Sequence, residues 1–145
     1  MAVRTRTAKS AQVDRRIARR DDVLVLAFAA VALAGVLIHD RVDMPATPLL
    51  SVTNMFPTAV YLGLGLLGFV PRARAASSWL LLIWAWILVV ASLIGLIPQS
   101  NVVSGPQNPN VHYVFHIIYA ACQLPLIVAL VLRLNRDASA VTTSR

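Results

Sequence analysis

The chain has 145 residues, of which 58% are hydrophobic and 13% charged, with a net charge of +7. A soluble domain carries about twice that charge fraction, so a water-soluble globular class is excluded first. The positive excess is confined to the segments flanking apolar runs, which argues for a topology signal and against nucleic-acid binding.

Four continuous apolar runs follow one another: Val23–Ile38, Met55–Val70, Trp79–Ile97 and Tyr113–Leu132. Runs of this length at about 1.5 Å per residue give roughly 24–30 Å of helix, close to the hydrocarbon thickness of a bilayer. They do not alternate as the strands of a membrane barrel would, and backbone groups in lipid must be paired within their own segment. The expected fold is therefore an all-α integral membrane bundle of four transmembrane helices with short loops. Expected spans are about 23–39, 53–70, 78–97 and 112–132, forming a transmembrane domain over 23–133. A basic tail over 1–22, disordered or lying on the membrane surface, and a polar tail over 134–145 flank it.

The first 20 residues hold Arg4, Arg6, Lys9, Arg15, Arg16, Arg19 and Arg20. With Arg72, Arg74, Arg133, Arg136 and Arg145 they place twelve basic residues on one side, against Arg41 alone on the other. The positive-inside rule then puts both termini and the 71–78 loop in the cytoplasm, and loops 39–54 and 98–112 outside. The expected location is a bacterial inner membrane, with the N-terminal Arg cluster resting on anionic lipid headgroups. Ala32-Leu33-Ala34 before Gly35 resembles a signal-peptidase site. Asp21 and Asp22 stand directly before the apolar stretch, however, and that stretch continues past the site, which favours a retained span.

In span one, Ala27, Ala30 and Ala34 share a helical face suited to close helix approach. Span two is expected to start with a cap at Thr53 or Asn54, to hold Pro57 in its first turn and to end at Pro71. Span three ends at Pro98, and the loop 98–111 reads as irregular. Pro125 predicts a kink in span four. Cys122, the single cysteine, excludes an intrachain disulfide and reads as a small buried apolar side chain. Gly63-Leu64-Gly65-Leu66-Leu67-Gly68 spells a dinucleotide-binding fingerprint, but it lies inside an apolar span without the strand and downstream acid that motif needs. Its glycines read as packing positions.

The most informative feature lies on span four. His112, His116, Tyr119 and Gln123 fall within about 60° of one another on a helix, forming one polar stripe. On span two, Asn54, Thr58, Tyr61, Gly65 and Gly68 form a similar stripe. The Tyr61/Tyr119 correspondence at an offset of 58 is too sparse to establish an internal duplication. Polar side chains at membrane depth face partner helices or a wet cavity. If the two stripes meet, they line a pocket in the outer half, with His39, Asp40 and Asp43 near its mouth.

Several functions compete for these residues. The first expectation is a non-enzymatic accessory or assembly component of a membrane complex, or a homo-oligomer, with the stripe as an interhelical seam. The second is a binder of a hydrophobic ligand, lipid or quinone, through His112, His116, Tyr119, Gln123, Asn54, Thr58 and Tyr61. A metal held among His39, Asp40, Asp43, His112 and His116, or haem between His39 and His116, are further alternatives, although no cofactor is called for by a motif. The chain has no Glu, and all six Asp lie outside the apolar runs, which disfavours ion-coupled transport. No catalytic residue stands out, so a membrane enzyme or small transporter ranks last.

Overall fold

The computed structural model describes residues 2–97 and 109–143. Four helices account for nearly all of them: α1 (Ala2–Asp43), α2 (Val52–Leu67), α3 (Arg74–Gly95) and α4 (Pro109–Thr143), with no strand among the described residues. Three of these helices are long and apolar enough to cross a membrane, and α2 is a shorter apolar helix. Each helix packs against its neighbours in chain order, and α1 closes the ring against α4. The result is an antiparallel up-and-down bundle.

The basic stretch from Ala2 belongs to the same helix as the first apolar run, and α4 carries the polar tail as far as Thr143. Loop 98–111 lies mostly outside the described residues. The cap of α2 is Ser51, one residue before the helix, whose hydroxyl accepts from the Asn54 N–H. Thr53 and Asn54 are already helical, and Pro57 falls in the second turn. The helix stops at Leu67, whose carbonyl would need an N–H that Pro71 lacks and accepts from Val70 instead, while the Gly68 carbonyl accepts from Arg133 of α4. Pro125 stands inside α4 without ending it.

The face of α1 turned inward differs from the expected one. Ala27, Ala30 and Ala34 are exposed, while Ala29, Ala32 and Gly35 are buried. Small residues occur all round this stretch, so size alone does not select a face. The larger apolar residues Val25, Leu33 and Val36 lie inside with the buried set. At Gly35 a Cβ would stand 2.8 Å from the Cys122 Cβ, so the α1 and α4 backbones approach closely there, and half-buried Cys122 is a packing residue. Gly65 makes room for Leu26 in the same way.

Polar layers bound the bundle at both ends. At one end Asp22 Oδ1 accepts from Arg74 Nη1 at 2.7 Å and Arg133 Nη2 at 2.9 Å. Arg74 also reaches Asp137, and Arg136 pairs with Asp21. The Arg133 side chain is only 1% exposed, and its Nη2 donates to the Gly68 carbonyl at 2.7 Å. The other end carries the histidines. Asp22 and His39 on α1 are seventeen residues apart, as are His116 and Arg133 on α4, so the layers stand about 25 Å apart along the helices. Between them the outward faces are apolar: Trp79, Ile83, Trp86, Val90 and Ile94 form an exposed row on α3.

Candidate metal centre

The last turn of α1 and the first turns of α4 bring the chain's three histidines together. His39 and Asp43 share a face of α1 at i,i+4, as do His112 and His116 on α4. His39 Nε2 lies 3.3 Å from His116 Nε2 and 3.2 Å from Asp43 Oδ2. One ligand atom from each of His39, Asp43 and His116 fits within a common span of 4.8 Å. His112 Nδ1 donates to Asp43 Oδ2 at 2.8 Å. The His39 and His116 ring centroids are 4.4 Å apart, whereas His39 and His112 are separated by 6.4 Å.

The remaining ring nitrogens are held from outside. His39 Nδ1 meets Asp40 Oδ1 at 3.2 Å. His116 Nδ1 lies 3.4 Å from the Ser92 hydroxyl, which donates to the His116 carbonyl. This is the arrangement in which outer partners orient metal-binding imidazoles and fix their tautomers. Proton accounting sharpens the point. Both nitrogens of His39 face carboxylates, which only accept when ionised, and a neutral imidazole has one N–H. The ring therefore needs two protons, or one proton and a cation on its second nitrogen.

Helix α3 supplies no ligand but shapes the site. A Cβ on Gly95 would overlap the His116 ring, so the imidazole occupies volume that only glycine leaves free. His116 itself is buried. Tyr119, one turn further in, has its ring centroid 5.3 Å from that of His39.

The expected ligand-binding set divides into three groups. His112 and His116 join His39, Asp40 and Asp43, with Tyr119 behind them. Deeper in the bundle, the Tyr61 hydroxyl donates to Gln123 Oε1 at 2.6 Å, and the Gln123 amide reaches the Ala32 carbonyl. The stripes of α2 and α4 thus meet at this one clasp. Asn54 and Thr58 bond within their own segment, to the carbonyls of Pro48 and Asn54 respectively, and do not join the histidines. Sequence reasoning passed over Ser92 and Gly95, which look like ordinary residues of an apolar helix. It also took Arg133 as a flanking charge, although the stripe 112, 116, 119, 123 continues at the same spacing through Leu126 and Leu130 to Arg133.

No protein-family model, curated protein or solved structure matches this chain.

Proposed function

We propose that this chain is an integral membrane protein whose extracytoplasmic end binds one divalent transition-metal ion through His39, Asp43 and His116. The observation that carries the metal reading is the convergence of two imidazole Nε2 atoms and a carboxylate oxygen, 3.2–3.3 Å from His39 Nε2, with both outer imidazole nitrogens occupied. Ligands about 2.0–2.1 Å from a tetrahedral zinc ion stand about 3.3 Å from one another, which matches the two separations at His39 Nε2, and the third lies within 4.8 Å. Imidazole and carboxylate donors suit Zn²⁺, Co²⁺, Ni²⁺ or Cu²⁺, whereas Cu⁺ prefers sulfur and Mg²⁺ prefers oxygen. The same 3.3 Å separation argues against haem, since axial imidazoles stand on opposite faces of a macrocycle.

The membrane reading is supported by the apolar outward faces and by polar layers about 25 Å apart, close to the hydrocarbon core. All four helices then cross, α2 being completed by Ser51 and Gly68 at its ends. The start of α1, the end of α4, Arg72 and Arg74 lie toward the arginine end, which the positive-inside rule makes cytoplasmic. The N-terminal arginines would rest on anionic headgroups there.

The test is metal binding by the full chain in detergent, measured by calorimetry with Zn²⁺. One equivalent should bind to the parent protein and none to a His39→Ala/His116→Ala variant that keeps its helicity. Equal binding by both would refute the site.

A second reading, a non-enzymatic subunit of a membrane complex or a homo-oligomer, is favoured by the exposed Ala27, Ala30 and Ala34 face of α1, which suits close approach by another helix. Cysteine cross-linking at Ala30 in native membranes would trap such a neighbour. The two readings are compatible.

A further inference from the structure

The three candidate ligands leave one tetrahedral position to fill, and His112 is not in the group whose ligand atoms lie within 4.8 Å of one another. The geometry points to a metal centre with an open fourth position, taken by water or a small anion from the aqueous side, with His112 holding Asp43 rather than the metal. This rests on the metal reading above.

His112 Nδ1 is 2.8 Å from Asp43 Oδ2, the same oxygen that lies 3.2 Å from His39 Nε2. An ionised carboxylate cannot donate, so His112 is the donor, and its Nδ1–H is committed to that bond. The Oδ2 atom has lone pairs enough for His112 and for a metal together. Ligating carboxylates are commonly oriented by such hydrogen bonds. Burial around the centre is uneven. His116 is 7% exposed and sealed by Gly95 and Ser92, whereas the side chains of His112 and Asp43 are each 18% exposed. The open side of the centre therefore faces the aqueous end of the bundle. Three protein ligands with one exchangeable position is the pattern of zinc sites that engage exogenous ligands, in contrast to closed structural sites with four protein ligands.

Co²⁺ reports coordination through its visible spectrum, so the experiment loads the full chain in detergent with Co²⁺ and titrates azide. A saturable spectral change is expected in the parent protein. His112→Ala should bind Co²⁺ about 10–100-fold more weakly, as loss of an outer partner does, and should keep the azide response. If bound Co²⁺ ignores azide, the fourth position is closed and the inference fails while the metal reading stands. If His112→Ala without azide already shows the spectrum of a centre that has lost a nitrogen ligand, His112 coordinates the metal and the inference is overturned. If the parent binds no Co²⁺ and no Zn²⁺, both readings fall together.

Discussion

The two ends of this bundle are built from the same helices yet are finished differently. At the arginine end, Arg74, Arg133 and Arg136 meet Asp21, Asp22 and Asp137, so cation and anion pair off and the charges balance, with the buried Arg133 Nε left without an acceptor. At the histidine end, His39 lies between two carboxylates, and the nitrogen that meets Asp43 also faces another imidazole. A cluster that balances its own charges is a fastener. One that leaves acceptors converging asks for a cation. On the proposed metal reading, structure belongs to one end and chemistry to the other.

The largest effect should come from breaking the fastener. Arg133→Ala strips a buried partner from Asp22 and from the Gly68 carbonyl, and is expected to cost about 3–5 kcal/mol. Denaturation of the detergent-solubilised protein would show it, and a loss below 1 kcal/mol would mean that the arginine end is not what holds the helices. Gly95→Ala should act at the other end, displacing the His116 ring and lowering metal affinity at least 100-fold, about 2.7 kcal/mol. Gly63→Ala is its control. Nothing lies within 4 Å of a Cβ there, so metal affinity should not change and helix stability should rise by roughly 0.5–1 kcal/mol. Equal behaviour of the two glycine variants would contradict the packing described.

Acidification should separate the ends next. A metal must displace protons from the imidazoles, so affinity is expected to fall by up to about tenfold per pH unit for each proton displaced as pH drops through the histidine range. The sign is fixed: metal-derived stability is present at neutral pH and lost towards acid. Calorimetry in buffers of different ionisation heat would count the released protons, and a pH-independent affinity would remove the histidines from the ligand set. A further effect lies between the ends. Tyr61→Phe deletes the clasp to Gln123 and should cost about 1–3 kcal/mol by leaving that buried amide oxygen unpaired, without changing metal affinity.

The long apolar runs and the helical period of span four were legible because both depend on local spacing. His112, His116, Tyr119 and Gln123 do share one inward face, and Tyr61 does reach Gln123. Less legible was anything depending on which surfaces meet. Alanines surround the α1 axis, so composition could not distinguish the buried Ala29 and Ala32 from the exposed Ala27 and Ala30. Asn54 and Thr58 have the right period but lie near the start of their helix, where nearby carbonyls take their donors first. Arg133 was counted with the flanking charges because charge counting ignores direction, although the stripe spacing turns it inward. Gly95 carries no mark in the sequence, since its significance lies in an imidazole on another helix.

That last pairing has a consequence for how the protein can change over time. Positions 95 and 116 share a single fixed volume. A lineage that loses His116 frees position 95 to accept any small side chain, with no penalty to select against it. Once that happens, restoring histidine at 116 is obstructed until glycine also returns. Loss of the centre takes one substitution, but once position 95 has filled, recovery takes two.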